Sequence, residues 1–194
     1  MDYHAYPWIR WIKLGVSGIV ILITLASLVS TYNGLAASNQ EVESRWSQVE
    51  NVMQSRADKI TNLVEVVKGY AKHEEKVFGD VAAARSVLMN GSSDVESKLN
   101  ADTSMASASK GVLLLVEDYP DLKASQQFQD LQVAIEGSEN RVAVERMRFI
   151  TAVQAYNTKV TSFPGNIFAK AMGFAPKKYF EAAPEAQQAP KINF

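Results

Sequence analysis

The residues best equipped for chemistry are His73, Glu74 and Glu75, set in "VKGYAKHEEKV" at residues 67 to 77. A helical zinc hydrolase uses H-E-x-x-H, which brings two imidazoles to the ion from one helix face with the glutamate between them as base. Here the second imidazole position is Val77, and the only other histidine is His4, on the far side of a hydrophobic run. The sequence has no cysteine, so no further protein nitrogen or sulfur ligand remains to complete a zinc site. A carboxylate di-metal site in a helix bundle needs a glutamate three residues before the histidine, and position 70 is Tyr70. The triplet therefore reads first as a solvated polar face. A metal-dependent hydrolase using His73, Glu74 and Glu75 is the rival reading. The sequence also lacks a glycine-rich phosphate loop and a nucleophile elbow, and its serines have no partner histidine. The expectation is a non-enzymatic chain with no cofactor and no resident metal.

The 194 residues suffice for one domain, 47% of them hydrophobic and 21% charged. With 20 Lys and Arg against 21 Asp and Glu, no global positive field favours nucleic acid as a partner. The six prolines and ten glycines fall mostly near the ends or at apparent breaks, which leaves long stretches for helices.

Residues 14 to 29, "LGVSGIVILITLASLV", carry no charge and no proline. As a helix they span ~24 Å, and aromatic flanks extend this toward the ~30 Å of a hydrocarbon core. Trp8, Trp11 and Tyr32 are suited to headgroup depth, and Arg10 and Lys13 have stems long enough to snorkel. A buried core helix or a cleavable signal would also be apolar, but only weak small-x-small sites follow the run. Arg10 and Lys13 precede it, whereas the next twenty or so residues beyond it hold only Arg45. The positive-inside rule then puts the N-terminus in the cytoplasm and the larger part on the non-cytoplasmic side of a bacterial inner membrane.

From Val42 the apolar residues step by four and three through Trp46, Val49, Met53, Ile60, Leu63, Val67, Tyr70, Val77, Val81, Ala84 and Leu88. This is a heptad-like beat over about 47 residues, expected of one long helix packed along near-parallel partners. Arg56 and Glu74 occupy the two skipped beats, where a charge marks a polar contact between helices or subunits. Asn90 and Gly91 are placed to end this helix in the left-handed conformation, and Ser93 with Glu96 makes a capping box for the next. That next helix, over 94 to 117, should run antiparallel to the first. It presents Val95, Leu99, Ala106, Leu113 and Val116 on one side, with a run of mostly small residues from Ser104 to Ser109. Pro120 interrupts, with Asp121 as a possible cap, and either reverses or only kinks the chain. A third run follows through Phe128, Leu131, Ile135, Ser138, Val142, Phe149, Ala152, Tyr156, Val160 and Phe163, with Glu145 as its charged exception.

The stretch after Pro164 is apolar and basic through Phe168, Lys170, Lys177 and Lys178, and reads as a closing helix or an interfacial anchor. The chain thus divides into a short segment at 1–13, a transmembrane helix at 14–31, a bundle at 32–163, a short helix at 164–180 and a flexible tail at 181–194. The fold class is all-α: an N-terminal transmembrane helix, then an up-and-down bundle of long antiparallel helices closed by a short C-terminal helix.

Four blocks, "YNGLAASNQEVESRWSQVENVMQSRADKITNLVEVVKGYAKHEEKVF", "EDYPDLKASQQFQDLQ", "ENRVAVERMRFITAVQAYNTKVTSFPGNIFAKAMGF" and "KKYFEA", occur in order over nearly the whole chain after the apolar run. Together they resemble the LemA family of bacterial membrane proteins. The resemblance implies one N-terminal membrane helix before an all-α bundle, and brings no catalytic residues to carry over. It also implies a structural role for His73, with Tyr70, Lys72, Glu74 and Glu75 as a contact patch. Before "NLVE" the family more often has a hydrophobic residue and a proline; here Thr61 takes the proline's place, which implies a straighter helix. The expected function is a single-pass, membrane-anchored interaction module whose partners are the bilayer, further copies of itself and other membrane proteins. Its candidate polar seam is Arg56, His73, Glu74 and Glu145, and the alternative role is a membrane-remodelling or lipid-binding scaffold.

Overall fold

The structure, a computed structural model, describes residues 7–71, 74–91 and 94–179. Among these there are six helices and no strand: α1 (Pro7–Lys68), α2 (Glu75–Met89), α3 (Val95–Val116), α4 (Pro120–Lys123), α5 (Gln126–Thr161) and α6 (Gly165–Ala171). Two compact units result. One takes the described residues up to Val42 with Ala152–Tyr179, and the other takes those of Glu43–Thr151.

In the second unit, contacts fix the direction of each helix. Arg85 of α2 pairs with Asp58 of α1 at 3.0 Å, and the Lys68 ammonium lies 5.6 Å from the Phe78 ring centre, so α2 runs back along α1. Lys98 of α3 meets Glu50, and Asp102 one turn on meets Arg56, so α3 climbs parallel to α1. Phe149 of α5 packs against Trp46 with ring centres 5.4 Å apart, while Leu131 shares a pocket with Val66. Hence α5 descends antiparallel, and the four helices alternate up, down, up and down.

The expected single helix from Val42 to Leu88 is in fact two. Gly69, the residue type with the lowest helix propensity after proline, follows α1's last residue, and the amides of Tyr70 and Ala71 both close onto the Val67 carbonyl at 2.9 Å. The apolar beat misled because α2 begins on the same register after the turn, so its spacing continues across a reversal. This extra turn also makes α3 parallel to α1, where the sequence suggested antiparallel. The chain then reverses again around Pro120, which starts the single turn α4 with Tyr119 as its cap residue and Asp121 in its first turn.

Other local details differ too. Asn90 is extended, with φ −77° and ψ 111°, and among the described residues only Gly173 has positive φ. The cap of α3 is Asp94, whose carboxylate accepts the Ser97 amide at 2.6 Å. Ser93 lies outside the described residues. On α3 the buried stripe is Leu99, Asp102, Met105, Ser109, Val112 and Val116, whereas Val95 is exposed and Ala106 and Leu113 are half-buried. On α5 Phe128, Ile135, Ser138, Val142, Phe149, Tyr156 and Val160 of the beat are buried, Leu131 and Ala152 are half-buried, and Phe163 is exposed.

In the first unit, α1 from Trp11 onward is long and apolar enough to cross a membrane by length and composition, and none of its apolar window is buried. The Thr24 hydroxyl donates to the Val20 carbonyl at 2.8 Å, so its polar hydrogen is satisfied within the helix, as a lipid environment requires. Past the apolar run, Leu35 and Val42 are buried in this unit, as are Val153, Tyr156 and Val160 of α5 and Ala169 of α6. The Lys159 ammonium contacts the Ser38 hydroxyl, joining α5 to α1 here. Helix α6 ends with Gly173 at φ 80°. The Phe174 amide reaches the Ala169 carbonyl at 2.9 Å and the Gly173 amide the Lys170 carbonyl at 3.4 Å, a Schellman termination.

Candidate functional site

The most concentrated charge in the second unit is a triad on three helices, with Asp102 and Arg56 buried and Arg146 half-buried. Asp102 of α3 is almost wholly buried, and its two carboxylate oxygens accept from different arginines, Oδ1 from Arg56 of α1 and Oδ2 from Arg146 of α5. Arg56 Nη2 also donates to the Asp102 main-chain carbonyl at 2.8 Å. One turn earlier on α3, the largely buried Lys98 pairs with Glu50 of α1. The two guanidiniums would repel each other in isolation; the aspartate between them offsets that repulsion and keeps Arg56 in the core beside half-buried Arg146.

Burial pushes the Asp102 carboxyl above the usual carboxylate range, and the positive charges of Arg56 and Arg146 only partly pull it back. Burial likewise lowers Arg146, against the upward pull of Asp102 and with a smaller downward push from Arg56. The desolvation cost is therefore the larger influence, as is common for buried ion pairs. Chemically, the carboxylate is committed to guanidinium hydrogen bonds, and the Nε of Arg56 is buried without a hydrogen-bond partner. The arrangement joins α1, α3 and α5 at one level.

Of the residues singled out in sequence, Arg56 is buried in this triad. Glu145 pairs with Arg148 at 2.6 Å within α5, so these two charged beats do not meet. Glu74 is the residue before α2, where its side chain makes no capping bond. His73 lies outside the described residues, as do His4 and the tail at 181–194. Among the described residues, no three or more His, Cys, Asp or Glu side chains gather as a metal would need. Trp8, Trp11 and Lys13 are exposed on α1, and Arg10 lies within that helix. Tyr32 is brought to the C-terminal segment, edge-on to Phe174 with ring centres 5.9 Å apart. Phe168 is half-buried, Lys170 and Lys178 are exposed, and the Lys177 ammonium lies 5.8 Å from the Tyr156 ring centre.

Sequence reading missed Asp102, Arg146 and the Lys98–Glu50 pair. A signal was present: an arginine on a buried beat needs a counter-charge, and Asp102 stands three residues from Leu99 and from Met105 on the α3 stripe.

Comparison with known proteins gives the chain a family. Over 87% of its length, the chain is 23% identical to magnetosome protein MamQ 2 of Paramagnetospirillum magneticum, covering 71% of that protein. It is 22% identical to magnetosome protein MamQ of Magnetospirillum gryphiswaldense, over 89% of this chain and 73% of the relative. Protein LemA of Metamycoplasma hominis is 21% identical over 80% of this chain and 71% of its own. The family model for LemA matches residues 45–194, and with that match over most of its length the chain belongs to the LemA family.

Proposed function

We propose that this chain is a non-enzymatic, membrane-anchored helical bundle that acts by contact and associates with further copies of itself. The exposed apolar helix and the magnetosome relatives suggest a membrane protein, with α1 as a single anchor in a bacterial inner membrane and the bundle on its non-cytoplasmic side. The observation that carries self-association is a second stripe on α5. Val133, Gly137, Asn140, Val144 and Met147 step by four and three along the face opposite the buried one, and the three large members are 70%, 40% and 62% exposed. A helix with an apolar seam on each side has one seam left for another helix. Small Gly137 would let that helix approach closely, and Asn140 would act as a polar layer that fixes register.

Mass measurement in detergent, with crosslinking in membranes, tests this. The chain is expected to be oligomeric, and Val133→Glu with Met147→Glu should convert it to monomer without loss of helix. A strictly monomeric parent chain removes self-association. The hydrolase reading is tested by metal analysis of protein purified without chelator: stoichiometric metal that disappears in His73→Ala would replace the present proposal.

A further inference from the structure

We propose that α6 and the residues flanking it, 163 to 178, form a second membrane contact, seated on the anionic lipid surface that α1 crosses. The proposal rests on α1 being the anchor. Tyr32 lies three residues past Val29, the last residue of the apolar run, a rise of only ~4.5 Å. Phe174 packs edge-on against that same Tyr32 ring. The C-terminal segment is therefore held within about one helical turn of the point where α1 leaves the hydrocarbon.

This position is built into the chain. Asn157 is buried and clasps the Lys177 backbone in both directions, its Nδ2 donating to the carbonyl and its Oδ1 accepting the amide, each at 2.8 Å. The Tyr156 hydroxyl donates to the Ala175 carbonyl at 3.1 Å. With the Schellman turn at Gly173, these bonds fix a strap that would otherwise have few backbone partners. What residues 163 to 178 present outward is amphipathic. Phe163 is 81% exposed and Ile167 59% exposed, and Lys170 and Lys178 are exposed on the same segment. Large apolar side chains beside lysines are the composition of an interfacial contact, in which the rings and branches enter the acyl boundary and the ammonium groups meet headgroup phosphates. Because the boundary is one turn away, the bilayer is the nearest apolar phase able to cover Phe163 and Ile167.

The chain has no cysteine, so a single one reports its own surroundings. Full-length Ile167→Cys, labelled with an environment-sensitive dye and reconstituted in phosphatidylglycerol-containing vesicles, should emit as in an apolar phase, be quenched by headgroup-labelled lipid and resist aqueous iodide. Ile21→Cys gives the reference for the membrane helix. Lys170→Gln with Lys178→Gln should shift the ratio of shielded to exposed probe by roughly fivefold per lysine in anionic vesicles and hardly at all in zwitterionic ones. A water-exposed Ile167 probe with a buried Ile21 probe overturns the lipid contact while leaving the anchor intact. Both probes in water would refute the anchor itself. A shielded Ile167 probe indifferent to the lysine changes would overturn the anionic headgroup requirement.

Discussion

Asp102 stands where a carboxylate is hardest to keep, on the buried face of α3, and each of its oxygens is taken by an arginine from a different helix. Removing it alone takes the carboxylate from buried Arg56 and one carboxylate contact from half-buried Arg146. Asp102→Leu is expected to cost about 3–5 kcal/mol in denaturant unfolding of the detergent-solubilised chain. Replacing all three charges, with Arg56→Met, Asp102→Leu and Arg146→Met, should restore most of that loss, because the desolvation of each charge disappears with it. The pH dependence has a definite sign. Since burial raises Asp102 in the folded chain, the folded state holds more of this proton than the unfolded state does, from about 3.9 upward to the raised value. Unfolding free energy from this group therefore falls as pH rises through that window. Asp102→Asn, which cannot titrate, should flatten the slope in pH-resolved unfolding; an unchanged slope would assign it to other carboxylates. At this scale the sequence was partly legible. Arg56 stood out because it broke an apolar beat, but its partner did not, because Asp102 follows Ala101 and precedes polar Thr103 and Ser104, a context that reads as surface.

Among the helices, the span read for α3, 94 to 117, lies within one residue of the observed helix at each end, although its cap is Asp94 and not Ser93. Ser125, whose hydroxyl accepts the Phe128 amide at 3.3 Å before α5, gave a local start signal that the apolar run alone did not use. The break between α1 and α2 was hidden because a 3.5-residue beat records which residues face a core and not whether the chain has turned. Gly69 was its one local cue. The end of α6 had a clearer cue in Gly173, the single described residue at positive φ. There a side chain enters the left-handed region, so Gly173→Ala should cost roughly 1–2 kcal/mol, and Gly173→Asn less, since asparagine tolerates this conformation better. A different glycine limits the approach of α6 to α5. A Cβ at Gly165 would lie 2.4 Å from the Lys159 carbonyl oxygen, which is backbone and cannot swing aside. Gly165→Ala should therefore loosen α6 locally, seen as faster amide exchange from Asn166 to Phe174 with α3 exchange unaltered. Equal exchange in parent and variant would show that the backbone at Lys159 yields without penalty.

For the molecule as a whole, the consequence of the proposed anchoring by α1 that most constrains its partners is which side of the membrane would carry the bundle. Arg10 and Lys13 before the apolar run outnumber the lone Arg45 in the region following it, and lysines and arginines close to a span resist translocation. The contact of Tyr32 with Phe174 brings Lys170, Lys177 and Lys178 into the same account, since these lysines come close to the exit of the span in space although far from it in sequence. They favour retention of that end on the cytoplasmic side, but they are translated and folded long after α1 has been oriented, and so act too late to reverse it. The expected outcome is a non-cytoplasmic bundle. A cysteine placed at exposed Leu114 should react with a membrane-impermeant maleimide in intact spheroplasts, whereas a cysteine at position 4 should react only after lysis. If the order is reversed, early charge bias has been overruled by the C-terminal lysines. In that case, exchanging Lys170, Lys177 and Lys178 for glutamine should turn the topology over, a result that early orientation by Arg10 and Lys13 does not allow.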